Sequence, residues 1–178
     1  MTTTVRRTHF KVGRNRGLTT LQQRFEFRGG GVDASALADV LMTAPLTREG
    51  SIFGDRPGVE GTGSEGSRSM AGFSPAPGFR FDVDLSRTGE ASFVVRFSQP
   101  ARRVPYLQGE LLWNFLDDGT GAMFDEQINT SPAEEQGAEP LWGRRPSLRR
   151  WLFFRLGHKQ VMAKAAKNIA TIVGGRTQ

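Results

Sequence analysis

The chain has 178 residues, and this length is enough to bury roughly two thirds of the unfolded surface around one core. It contains no cysteine, which excludes disulfides, thiolate nucleophiles and cysteine-ligated metals. No stretch approaches the ~20 apolar residues of a membrane span, and the basic start lacks the apolar core of a signal peptide. We therefore expect a cytoplasmic protein.

The net charge of +6 is unevenly distributed along the chain. Residues 1–17 carry five cations and no acid, and residues 144–178 carry nine cations and no acid. The middle, residues 18–143, holds the other ten cations and all 18 acids, a net charge of −8. Clustered charge raises the local potential, so we expect weak, salt-sensitive contact with anionic membranes; charges that only keep the domain soluble are an equally good explanation.

The first segments of the chain differ in periodicity. Residues 1–17 have scattered apolar positions, so we predict a basic N-terminal arm, mobile or loosely docked, ahead of a domain spanning residues 18–175. The alternation in LTTLQQRFEFR, residues 18–28, predicts the first strand. Asp33 is a good N-cap for a short helix that ends near Thr43.

A glycine-rich region follows this helix. Residues 45–58 are interpreted as a loop, with one further helical turn as an option. Residues 58–72 suggest either flexible phosphate-binding backbone or two strands with glycine at the bends. A Walker loop needs a lysine and a hydroxyl after the last glycine, and a dinucleotide turn needs a following helix; neither is present. We therefore predict two strands.

Four clearer strands form two predicted hairpins. FRFDVDL, residues 79–85, alternates strictly, and the inward row continues in the strand after the turn at residues 86–90. A second hairpin turns at DDGTG, residues 117–121. In its last strand the inward positions are apolar except for Glu126.

The C-terminal part predicts one long helix. Residues 131–145 are interpreted as a loop, and apolar residues then recur at helical spacing from Leu148 to Val173, closed by two glycines. The helix would be about 40 Å long if unbroken, with Gly157 as a site for a kink.

This order of elements predicts an α+β fold in which a curved antiparallel sheet of about six to seven strands grips the long C-terminal helix. Over residues 18–175 the chain resembles the START-like helix-grip (SRPBCC) superfamily, in its polyketide cyclase and lipid-transfer branch. Four passages carry the resemblance: the strand with Phe25 and Phe27 leading to the Asp33 helix, the glycine-rich Gly61–Arg68, PYLQGELLWNF followed by DDGTGAMFDE, and the C-terminal helix. The loop at residues 45–58 lacks the tryptophan that many relatives carry there.

The resemblance implies a hydrophobic cavity between the sheet and the helix, with a lipid or polyketide-like metabolite as ligand. A cyclase or dehydratase acting in the same cavity is the alternative, since such chemistry can run on positioning and one acid or base. No cofactor motif and no zinc-finger, RRM or KH spacing is present, so we expect no cofactor and no specific nucleic-acid partner. The oligomeric state is not predicted.

Two charged residues, Arg68 and Glu126, fall on predicted inward faces. A buried charge costs several kcal/mol unless it is paired or holds a polar ligand group, and surface or structural pairing is the commoner outcome. The remaining candidate ligand-binding residues are aromatic; any single one of them is more often simply core, but together they could line a pocket. The candidates are Arg68, Phe79, Phe81, Phe93, Phe97, Trp113, Phe124 and Glu126.

The histidines and the single tyrosine predict little chemistry. His9 and His158 lie far from any serine and acid pattern, so neither a triad nor a histidine metal site is expected. We predict that His158 lies on the helix surface. Tyr106 could donate a proton at a cavity mouth, with strand-edge packing the better interpretation. No catalytic residue is assigned.

Overall fold

A computed structural model of the chain describes residues 3–15, 18–29, 31–75, 77–98, 107–128, 139–140 and 153–176. The elements are β1 (Thr4–Asn15), β2 (Leu18–Arg28), α1 (Ala34–Thr43), β3 (Val59–Thr62), β4 (Ser67–Phe73), β5 (Phe81–Arg87), β6 (Ser92–Ser98), β7 (Leu107–Asp117), β8 (Gly121–Ile128), β9 (Glu139–Pro140), a π-helical turn (Phe153–His158) and α2 (Lys159–Arg176). Tyr106, most of the predicted loop at residues 131–145 and the predicted helix start at residues 148–152 lie outside the described residues.

One antiparallel sheet organises the fold. Its strands follow the order β1-β2-β8-β7-β6-β5-β4-β3, and the two-residue β9 adds a parallel pairing at the start of β7. Because β1 and β3 end the series, the sheet is open. The predicted α+β class is confirmed, and the main strands number eight instead of the predicted six to seven.

The extra strand is β1, which replaces the predicted N-terminal arm. Residues 4–15 pair with β2 along its whole length, with a bulge between Arg7 and His9. The prediction of a mobile or loosely docked arm is wrong for these residues. An edge strand pairs with the sheet along one side only and contributes few apolar residues to the core. In β1 these residues are Val5, Phe10 and Val12, which are half-buried against the core.

The strands predicted from alternation are confirmed. In β5, Phe81, Val83 and Leu85 are buried while Asp82 and Asp84 are exposed, and the same pattern holds in β2, β6, β7 and β8. One face of the sheet is thus apolar and covered, as expected when helices pack on one side only.

The glycine-rich region forms a β3–β4 hairpin. Gly66 occupies its turn with a φ of 77°, in the left-handed region that glycine adopts most easily. The two-strand prediction is therefore confirmed, and the phosphate-loop alternative does not apply.

The short helix α1 begins as predicted. The Asp33 carboxylate accepts a hydrogen bond from the Ala36 amide at 2.7 Å, and the helix ends at Thr43. The following loop, residues 45–58, contains no further helical turn. It packs into the core instead, where Ile52 is fully buried and Phe53 nearly so.

The helix α2 covers the apolar face of the sheet and also contacts α1. Its buried side is made of small and medium apolar residues: Val161, Met162, Ala165, Ala166, Ile169, Ala170 and Val173. Regular α-helix begins only at Lys159, because the six residues before it, including Gly157, form the π-helical turn. Within the described ranges, no helix is both long and apolar enough to cross a bilayer.

Candidate functional site

A small cavity lies between β4–β7, the loop at residues 45–58 and the start of α2. Its volume, counted as the space that the centre of a water molecule can occupy, is about 60 Å³. The walls include Phe53, Met70, Val95, Phe97, Trp113 and Met162. This volume accommodates a few waters, at about 10–15 Å³ each, and is well below the ~300 Å³ of the smaller typical ligand sites.

A row of three polar or partly polar side chains crosses the buried face of the sheet beside this cavity. The pairing of β2, β8 and β7 places Gln23 opposite Glu126, and Glu126 opposite Trp113. Directly opposed residues on one face have Cβ atoms about 4.5–5.5 Å apart, close enough for their side chains to hydrogen-bond. The row therefore gathers the donors around the Glu126 carboxylate.

The Glu126 carboxylate is completely buried and accepts hydrogen bonds at both oxygens. Trp113 Nε1 donates to Oε1 at 2.7 Å, and Gln23 Nε2 donates to Oε2. His158 Nε2 lies 2.9 Å from each oxygen. Three side chains thus replace the water that burial removes from this carboxylate.

The electrostatics of this cluster favour the ionised carboxylate. Burial alone raises the pKa of Glu126, but the charge of His158 and the hydrogen bonds from His158, Gln23 and Trp113 together outweigh it. The net result is a pKa below the ordinary glutamate value. Glu126 is consequently a poor proton donor near neutral pH.

Arg7, a residue of β1, lies beside the Glu126 cluster. Its guanidinium lies over the Phe25 ring, 4.8 Å from the centroid, and Nη2 donates to the Lys159 carbonyl. Burial lowers the pKa of Arg7 and the Glu126 charge raises it, with burial dominant. Among the described residues, Gln23 Oε1 has no hydrogen-bond partner.

The structure places Arg68 away from the cavity. Its guanidinium donates to the Leu41 and Ala44 carbonyls at 2.9 and 2.7 Å and pairs with Glu60 at 3.1 Å. These carbonyls belong to the C-terminal end of α1, where the last turn lacks intrahelical donors. Arg68 therefore closes that helix end, which corresponds to the structural-pairing alternative.

The predicted aromatic residues are all buried but do not form one site. Phe81, Phe97 and Trp113 line the cavity. Phe79 stacks on Phe81 with centroids 6.2 Å apart, outside the lining. The other two pack elsewhere in the core: Phe93 against Phe115, and Phe124 against Phe25, Trp113 and Phe115.

The prediction that His158 lies on the helix surface is wrong. The residue is 8% exposed, lines the cavity and bonds to Glu126. The helical stripe alone could not place it, because it belongs to the π-helical turn and not to the regular helix. An inward carboxylate in β8 with no cation at the paired positions of β2 and β7, which are Gln23 and Trp113, was the available signal that a partner must come from another element.

Other residues of the site were also missed. Phe53 comes from the packed loop, while Met70 and Met162 come from β4 and α2. Gln23 lies at an inward position of β2 and is buried, but a polar side chain does not continue an apolar row and so was not among the predicted site residues.

Comparisons with known proteins extend only to the fold. No family model matches the chain, and no curated protein is detectably similar in sequence. Protein Ms6760 from Mycobacterium smegmatis, a crystal structure, is 12% identical, with 93% of this chain and 98% of that chain covered at a TM-score of 0.53. CalU16 from Micromonospora echinospora is 8% identical, covering 98% and 93% at a TM-score of 0.45.

The likeness to Ms6760 shows a shared architecture, an antiparallel sheet with a C-terminal helix. The chain is thus an α+β protein of this architecture, with a small apolar cavity whose wall includes His158, the partner of the buried Glu126.

Proposed function

We propose that the protein binds a small hydrophobic ligand, a lipid or polyketide-like metabolite, in the cavity between the sheet and α2. The observation that carries this proposal is the cavity itself, whose described lining is apolar except for His158 and the indole nitrogen of Trp113. The resemblance of the sequence to START-like helix-grip proteins supports the same location. Apolar burial at ~25 cal/mol per Å² supplies most of the affinity.

The cavity volume limits the ligand. A space of about 60 Å³ takes a slender group or the end of a chain. A bulkier ligand requires the walls to move, and Met70 and Met162 are suited to this because their unbranched side chains adopt many shapes. We expect affinity to decrease once the ligand is larger than the space that Met70 and Met162 can open by changing conformation.

The test is native mass spectrometry of protein purified without detergent, followed by titration with saturated fatty acids of increasing length. Val95→Phe fills the cavity and should abolish binding. Val94→Phe, the neighbouring residue on the opposite face of β6, is the matched control and should leave binding unchanged. If Val95→Phe does not fold, Val95→Leu tests the same point with one extra methylene. Equal binding by both phenylalanine variants would disprove the proposed location.

A second candidate function, a cyclase or dehydratase acting on a polyketone, is favoured by one observation. His158 lines an apolar cavity and is held by a carboxylate, an arrangement that orients an imidazole for acid or base work. Incubation with a linear poly-β-ketone thioester, analysed by mass spectrometry, tests it. Products that form equally fast with wild type, with His158→Asn and without protein would leave binding as the only function.

A further inference from the structure

The fold brings together two basic segments that are far apart in the sequence. β1 and α2 lie side by side: the Arg7 guanidinium donates to the Lys159 carbonyl, and Lys159 Nζ lies 4.7 Å from the Phe10 ring centroid. At the other end of the helix, Gly174 lies beside Thr3. The acid-free N-terminal segment therefore runs along the acid-free C-terminal helix.

Their charges form a basic surface. The described parts of the two segments, residues 3–15 and 153–176, contain nine cations and no acid. Arg6 and Lys11 lie opposite Glu26 and Gln22, outward residues of β2, so they project from the sheet face opposite α2. The cations on the helix side are Arg155, Lys159 and Lys167, which we call the basic β1–α2 surface.

An exposed apolar side chain lies at the start of this surface. Leu156 is 54% exposed in the π-helical turn, next to the exposed Arg155. In the sequence, Arg149–Leu156 mixes cations with large apolar residues, RRWLFFRL. Only two residues further on, His158 lines the cavity. A basic surface with an apolar tip beside a hydrophobic cavity matches a membrane interface better than a purely charged partner does.

We propose that the basic β1–α2 surface binds anionic lipid membranes peripherally, with Leu156 among the headgroups and the cations over the lipid charges. Each cation near such a surface strengthens binding about fivefold, so a handful gives reversible attachment. A nucleic acid would use the cations but gain little from Leu156. This inference stands whether or not the cavity holds a ligand.

The experiment is co-sedimentation with phosphatidylcholine vesicles that contain about a third phosphatidylserine, at about 50 mM and about 0.5 M salt. We expect binding at low salt, loss at high salt, and no binding to pure phosphatidylcholine. Arg155→Glu with Lys167→Glu should weaken binding at least about tenfold. The control, Arg48→Glu with Arg80→Glu, changes the net charge equally at exposed positions elsewhere and should weaken it less than about threefold.

Leu156→Ser separates a membrane from other polyanions because it leaves the charge unchanged. Vesicle binding should fall severalfold, while binding to single-stranded RNA in the same buffer should not change. Absence of vesicle binding at low salt, an equal loss in the Arg48 and Arg80 control, or an unchanged vesicle affinity of Leu156→Ser would overturn the proposal. Thermal melts of each variant confirm that it is folded.

Discussion

His158 Nε2 lies 2.9 Å from both carboxylate oxygens of Glu126, although 32 residues separate the two in sequence. The contact joins β8 to the segment that leads into α2. Both side chains are buried, so each satisfies a group that would otherwise be left without water. The pair attaches the C-terminal helix to the sheet at the wall of the cavity.

Replacing Glu126 by glutamine should destabilise the protein by about 2–4 kcal/mol. Glutamine has nearly the same shape, but its NH₂ group would face donors, since Trp113, Gln23 and His158 all point N–H groups at this position. Urea unfolding followed by circular dichroism measures the change. Glu49→Gln, at an exposed position, is the control and should shift the free energy of unfolding by less than ~0.5 kcal/mol. An unchanged midpoint for Glu126→Gln would show that the carboxylate is not needed.

The same pair predicts a specific pH dependence. The folded-state pKa of Glu126 lies below its ordinary value of 4.5, so the unfolded chain binds this proton more readily than the folded one. The stability that the carboxylate contributes is therefore complete above that value and is lost as pH falls through the folded-state pKa. Urea unfolding of wild type and Glu126→Gln from about pH 6 to about pH 3 should show the difference narrowing below about pH 4.5. A constant difference across this range would contradict the lowered pKa.

Periodicity in the sequence predicts most of this sheet because each strand has one buried face. The rows of Phe81–Leu85 in β5 and of β6 alternate without exception, and Glu126 was correctly placed inward by the same rule. β1 was not predicted because an edge strand is only partly buried and therefore shows a weak apolar pattern. Its Arg7 is held by aromatic rings and a helix carbonyl, not by an apolar pattern.

Long-range side-chain contacts are what periodicity does not predict. Nothing local in β8 points to His158, and nothing near Arg68 points to the end of α1. Periodicity does not predict the cavity volume either, because the volume depends on how Phe53, Met70 and Met162 fill the space between elements.

Arg68 should prove structural and not ligand-binding. Arg68→Met keeps the length of the side chain but removes the donors to Leu41 and Ala44 and the partner of Glu60, so we expect a loss of about 1–3 kcal/mol. Ligand affinity, measured by the same fatty-acid titration, should stay within about twofold, since Arg68 lies outside the cavity lining. Arg68→Lys should lose less stability than Arg68→Met but remain less stable than wild type, because a single ammonium group cannot make the several directed hydrogen bonds of a guanidinium. A large drop in affinity with unchanged stability would return Arg68 to the ligand site.

Asn168 should control how firmly the loop at residues 45–58 closes the cavity. Its Nδ2 donates to the Ser51 and Ile52 carbonyls, both at 3.0 Å, which holds this loop against α2 next to Phe53. Asn168→Ala removes this donor from both carbonyls, of which only the Ser51 carbonyl keeps another hydrogen bond within the described part of the chain, from the Gly54 amide at 3.3 Å. Asn168→Ala should therefore reduce stability by about 1–2 kcal/mol. Asn168→Asp should be more destabilising than Asn168→Ala, because a carboxylate would face two carbonyl oxygens.

Hydrogen exchange should show faster exchange at residues 51–54 in both variants, with β6 and β7 unchanged. Thr171→Ala, one turn further along the exposed side of α2, is the control and should leave these amides protected. Protection at residues 51–54 equal to that of wild type in Asn168→Asp would show that other contacts hold the loop.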